Sequence, residues 1–352
     1  MEELRINELS IRTWNFLDVN DVRKEIANEY VKVNYEIDNK ELDYENMGVN
    51  LQVDEIEYAS WIDELEIGCG ENIKRVLKDS NIPFDVFKVK EKKIQEPLKI
   101  NLNYEDSIKG LLSRTIFELD KDSSLVVIRK HSGNCKKAIE DIRFNISENS
   151  MLTIVEIFDF DNDSDFVGSI SGEVSANAEF KLMQVCMGSG KITIGSCINL
   201  KGNGSKLNVD SGYLLKDDDE LDIKYIARHR GRYSNSKINV SGVLRDKAKK
   251  SFAGTIDFIK GSKNSVGDER EDVLLMDEGV FNNTTPIILC EEEDVEGAHG
   301  ASIGKISDEA IFYFKTRGVS EEDINEIMAK SRLEAVISRI PDEKTKNELL
   351  KV

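Results

Sequence analysis

KITIGSCINL, residues 191–200, alternates: Ile192, Ile194 and Ile198 share one face of an extended chain, opposite Lys191 and Thr193. That period of two is the signature of a β-strand with one buried face. The stretch is one of a series. LVVI at 125, MLTIVEIF at 151, FKLMQVCM at 180, LDIKYIA at 221, KINVSGVL at 237, FAGTIDFI at 252, VLLM at 273 and IILC at 287 recur, with Gly, Asn, Asp and Ser between them. Short strands at this spacing imply a sandwich, a barrel or a solenoid. The long unbroken series, in a chain with only 4 Pro, favours a β-solenoid, although no strict repeat marks its turns. Ile192, Ile194, Val209 and Ile238 are expected to point inward. GSGKITIG, residues 188–195, is no phosphate loop: Val185 and Ile192 stand where a Walker A motif needs glycine and a hydroxyl.

Outward from this core the pattern changes twice. Residues 1–105 read as a mixed region. Val22, Ile26 and Tyr30 recur every four residues and predict a helix over 21–30. ENIKRVLKDS, 71–80, predicts another, and Pro83 and Pro97 mark connection. Residues 106–305 hold the solenoid and 306–352 a helical tail. In the tail, Ser307 caps a helix through Phe314, Gly318 fits the left-handed position after it, and Ser320 with Asp323 starts a second. One more short helix is expected over 342–352. Such a tail either packs on its own solenoid or grips a partner.

With 33% charged and 39% hydrophobic residues, the chain has the composition of a globular protein with a sizeable core. A net charge of -19 repels phosphates and anionic lipid, which argues against nucleic acid and membrane partners. No apolar run is long enough to span a bilayer. MEELRINELS carries no apolar leader pattern, and five cysteines form no Cys-x-x-Cys pair, so a reduced, cytoplasmic setting is expected.

Three histidines stand in the chain. His131, in RKHSGN, reads as an exposed turn residue. His229, in IARHRGRYSNSK, reads either as part of a solvated turn, with Arg228, Arg230 and Arg232 offsetting Asp217–Glu220, or as an anion or partner site. His299 lies among Gly297, Ala298, Gly300 and Ala301, after Cys290, Glu291 and Glu293. It is a turn histidine, or an iron ligand with those neighbours as further donors. Cys186, Cys197 and Cys290 sit at apolar strands, where burial is the default.

RHRGRYSNSKINVSGVLRDKAKKSFAGTIDFIKGS, EDVLLMDEG, GAHGASIGKI and FYFKTRGVSEEDI, in that order, resemble the SufB/SufD family of SUF iron–sulfur cluster assembly scaffolds. The likeness runs from about Lys224 to Ser338; TWNFLDVN, 13–20, adds a looser match. Gly300 where SufB has glutamate, and no cysteine between Asp277 and Pro286, bring the chain closer to SufD. The resemblance implies a right-handed parallel β-helix and no catalysis. It also implies a helical tail that docks the ABC-type ATPase SufC, with Phe312, Tyr313, Arg317, Ile324, Ile327 and Met328 as its candidate surface. His299 is the matched histidine, facing a SufB-like subunit or a second copy of this chain. An iron–sulfur cluster would be held transiently and shared with that partner; a flavin is left open. Two alternatives remain at this level: a secreted-type β-helix enzyme acting on polysaccharide, and a purely structural homodimer.

Overall fold

The computed structural model describes residues 2–13, 19–38, 49–50, 59–105, 109–161, 163–187 and 190–351. Most of TWNFLDVN, and Gly188 and Ser189 of the glycine run, lie outside them. Strands β1 (Glu2–Ile6) and β2 (Val22–Ile26) pair antiparallel. The helix expected over 21–30 is therefore absent. A spacing of four satisfies a period of two as well as one of 3.6. The buried neighbours decide: Ile26 packs with Leu4, Ile6 and Ile73, and Lys24 reaches Asp165 at 2.7 Å. Next come β3 (Tyr30–Lys32), β4 (Tyr35–Asp38), β5 (Val49–Asn50), α1 (Ala59–Glu64), α2 (Glu71–Asp79), β6 (Asp85–Val89) and β7 (Leu98–Tyr104). Helix α2 falls where its apolar face predicts it.

The core then unwinds as β8 (Gly110–Leu119), β9 (Ser124–Gly133), β10 (Ala138–Ile146), β11 (Met151–Phe160), β12 (Asp165–Val174), β13 (Glu179–Cys186) and β14 (Lys191–Leu200). It continues with β15 (Lys206–Leu215), β16 (Glu220–His229), β17 (Asn235–Leu244), β18 (Lys249–Phe258), β19 (Ser265–Leu275), β20 (Phe281–Cys290) and β21 (Val295–Gly304). From β6 onward, even-numbered strands form one sheet and odd-numbered strands the other, and each up to β19 pairs in parallel with the strand two places on. This is a parallel β-solenoid with two strands per turn. Ile146, Val174, Leu200 and His229 are level in one ladder, so a turn takes between 26 and 29 residues there. The unequal turns explain why no strict repeat shows in the sequence. Ile192, Ile194, Val209 and Ile238 all lie in the lumen's apolar core, as their alternation predicts.

The polar gaps between strands have a geometric cause. Asp122, Asn149, Asn177, Asp217, Asp246 and Asn264 all have positive φ. Among residues with a Cβ, Asn and Asp bear that conformation most easily. They also stack: Asn177 donates to Asn149 at 3.4 Å and Asn149 to Asp122 at 3.3 Å.

Helices α3 (Asp308–Thr316), α4 (Glu321–Ile337) and α5 (Glu343–Leu349) form the tail, capped by Ser307, Ser320 and Asp342 through side-chain oxygens. Gly318 takes φ 81° after α3, as expected of a C-terminal glycine. Leu333, Val336, Ile337, Ile340 and Leu349 pack on Ile128, Val155, Ile157, Met183 and Val185, on the outside of the odd-numbered sheet. The second half of the tail is thus part of the fold. Helix α3 stands apart from it, with Phe312 and Tyr313 exposed. Among the described residues no helix is long and apolar enough to cross a membrane.

Candidate functional site

The solenoid's last turn is uncovered. Among the described residues β20 pairs only with β18, and β21 only with β19, so the outer edge of each sheet carries backbone groups without a strand partner there. His299 lies in the middle of β21 and is exposed. It is not in a turn: the Gly-Ala setting is a strand of small residues. Its ladder runs through Val209, Ile238 and Glu269 to His299. Val209 and Ile238 are lumen residues, so His299 occupies a lumen row at the open end. Cys290 ends β20 in the ladder of Leu200, His229 and Phe258. It was expected to be buried and is exposed, because no further turn covers it; its Sγ–H donates to the Glu292 carbonyl at 2.9 Å. Glu291 and Glu293 lie in the turn between the two last strands, also exposed. Strands and turn place His299, Cys290, Glu291 and Glu293 at one end face, but among the described residues no three of them bring their ligand atoms within 4.8 Å of one another.

Beneath this face lies a polar layer that the sequence reading missed. Glu269 and Glu271 are both buried in β19, and Lys250 in β18 is fully enclosed. The Lys250 ammonium donates to Glu271, and the Thr284 hydroxyl donates to the same carboxylate at 2.5 Å. The Glu269 carboxylate fills the space left by Gly254, where a Cβ would lie 2.0 Å from its oxygen. One Glu269 oxygen has no hydrogen-bond partner among the described residues. Burial, and then the Glu271 charge, push Glu269 up to about 8. The signal was available. Val273 faces the lumen, and stepping back two residues at a time reaches Glu271 and Glu269.

Glu269 makes the first pH prediction. Its folded-state value lies above the ordinary 4.3 or so, so the fold disfavours its charged form. The isolated chain should therefore lose stability as pH rises from about 4 to about 8. Glu269→Gln should flatten that slope and stabilise the chain at pH 9 by about 2–4 kcal/mol, with no gain near pH 4. Denaturant unfolding at both pH values measures it; an equal gain at both would exclude titration as the cause.

The other two histidines are not where the sequence placed them. His131 is fully buried in β9. His229 is buried at the end of β16, bonded at 2.8 Å to both Ser234 and Ser236, and burial depresses it to about 4. Arg228 pairs with Asp257 at 2.8 Å and with Glu66, not with Asp217–Glu220. In the tail, Phe312, Tyr313, Arg317 and Ile327 are exposed, Ile324 is buried and Met328 half-buried. Arg317 lies over the Tyr313 ring, 5.4 Å from its centroid.

The family model for the SufBD core domain of SUF-system iron–sulfur cluster assembly matches residues 101–331. The chain belongs to the SufBD family. Those residues run from β7 to within α4 and include the whole end face. Among SufBD relatives, SufD of Bacillus subtilis is 28% identical over 124 residues, covering 35% of this chain and 28% of that protein. SufD of Escherichia coli is 26% identical over 151 residues, covering 43% and 36%. A SufBD family protein of Pyrococcus horikoshii is 28% identical over 174 residues, covering 49% and 38%. Each match thus spans well under half of the relative.

Proposed function

We propose that this chain is a SufD-like scaffold subunit of cytoplasmic iron–sulfur cluster assembly, without catalysis of its own. Its open end face meets the matching face of a SufB-like subunit or of a second copy. There His299 offers an imidazole to a transient cluster completed by the partner, with Cys290, Glu291 and Glu293 as lesser candidates. Helix α3 docks a SufC-type ABC ATPase. The observation that carries this reading is the position of His299: exposed, in a lumen row, on the sheet's terminal strand. A strand edge supports pairing by backbone hydrogen bonds, and imidazole suits iron. Anaerobic co-purification with the candidate ATPase and a SufB-like chain, followed by iron and sulfide analysis, tests it. His299→Ala should leave the complex assembled and lower its iron and sulfide by roughly threefold or more, since one ligand is lost. Wild-type iron and sulfide in that variant would remove His299 from the mechanism.

A further inference from the structure

The lumen of the first full turns holds a second group of donors, several turns away from the end face. His131 and Glu156 come from the odd-numbered sheet and Glu140 from the even-numbered one. None is more than 2% exposed. His131 Nε2 lies 3.7 Å from Glu140 Oε2 and 3.7 Å from Glu156 Oε1. Among the described residues all three of these atoms lack a hydrogen-bond partner. At 3.7 Å they are too far apart to bond to one another. Yet they lie within 4.8 Å of each other and point at one space. An ion at the centre of that triangle would sit at most about 2.4 Å from each atom, close to ordinary metal–nitrogen and metal–oxygen lengths.

We infer that His131, Glu140 and Glu156 bind one divalent first-row transition ion inside the solenoid. The remaining contacts orient the donors. Arg129 holds the other oxygen of Glu140, and the Gln184 amide donates to the other oxygen of Glu156 at 2.6 Å. Each carboxylate thus has one oxygen fixed by the protein and one free. His131 Nδ1 lies 3.1 Å from the Tyr104 hydroxyl, and its ring stacks on Phe158 with centroids 4.8 Å apart. With Nδ1–H donated to Tyr104, the Nε2 lone pair faces the two carboxylates, as an oriented metal-binding imidazole requires. Burial keeps that imidazole neutral. Burial holds the Glu140 carboxyl well above the ordinary range in spite of Arg129, so an ion entering here displaces a proton, and Arg129 then offsets one of the two carboxylate charges. The nitrogen donor favours transition ions over magnesium or calcium.

The donors are enclosed on every side, so the ion enters as the turns close. The test therefore begins with unfolded full-length chain. It is refolded with Mn(II), with Zn(II) or, anaerobically, with Fe(II), then freed of loose metal by gel filtration in mild chelator. Wild type is expected to retain about one equivalent of at least one of these ions and to melt about 5 °C higher than chain refolded in chelator. His299→Ala should retain the same amount. Glu156→Gln and His131→Gln should each lower retention at least tenfold. Anomalous diffraction from loaded wild-type crystals serves if those variants fail to fold, with a peak expected between His131, Glu140 and Glu156. Retention below about a tenth of an equivalent for all three ions overturns the site. So does undiminished metal in both glutamine variants, or a peak only at the end face. In those cases the carboxylates share a proton instead.

Discussion

Replacing Phe312 and Tyr313 together by serine is expected to weaken binding of a SufC-type ATPase about 100-fold or more, with thermal unfolding unchanged. Phe312 is 70% exposed and Tyr313 55%, and Ile327 on α4 adds a third uncovered apolar side chain at 49%. Exposed aromatics beside an arginine are typical binding anchors, each worth about 2 kcal/mol or more when buried by a partner. Since both rings are largely exposed, removing them takes little from the fold. The tail's other half behaves differently. Deleting residues 307–352 would uncover Ile128, Val155, Ile157, Met183 and Val185. Loss of binding in that truncation would mix docking with misfolding. Leu333→Ala serves as the contrast: it should destabilise the chain by about 2–4 kcal/mol and leave docking to the folded fraction intact. Calorimetric titration of the ATPase into each variant separates the two. Full affinity in the double serine variant would refute docking through α3.

The solenoid was legible wherever lumen and outer faces differ in polarity. KITIGSCINL declares its pleat because its alternate residues are isoleucines. β10 and β12 were missed because burial there does not follow apolarity: Glu140, Asp141, Arg143, Ser169 and Ser171 are all buried. Inside a parallel solenoid both sides of such a strand are covered, one by the lumen and one by packed elements such as β1, β2 and α2. β21 was missed for the opposite reason, since Gly297, Ala298, Gly300 and Ala301 have no bulk to show a period. The caps of the tail were readable because capping is local. The site was half readable. His299, Cys290, Glu291 and Glu293 were singled out, but their geometry depends on ladders that link residues about 30 positions apart. Pairings of that range leave no mark within a ten-residue window. The same blindness hid His131, whose polar neighbours come from one earlier and two later strands, and His229, whose serine partners lie five and seven residues on.

The buried pair below the end face yields the largest expected change in stability. Lys250→Met should destabilise the isolated chain by about 3–5 kcal/mol at pH 8, because it strands the Glu271 carboxylate in the lumen. Only the Thr284 hydroxyl then remains on that carboxylate, and Glu269 lies two residues away on the same face of β19. Methionine keeps most of the lysine volume, so a cavity contributes little. The charge accounts for the loss, and two measurements show it. Lys250→Met with Glu271→Gln should recover most of the stability, since a buried ion pair replaced as a pair costs little. Lowering the pH should also narrow the deficit of the single variant. A stranded carboxylate takes up a proton more readily in the fold than in the unfolded chain, so its penalty is absent below about pH 4 and grows as pH rises. A deficit that stays the same at pH 4 and pH 8, or that the second substitution does not relieve, would mean that Lys250 acts through packing. Recovery in the double variant would instead give a stable chain whose end face still carries His299, with Glu269 below it but without the Lys250–Glu271 pair. Its cluster content in the assembled complex would then report whether the charges under His299 matter to iron or only to folding.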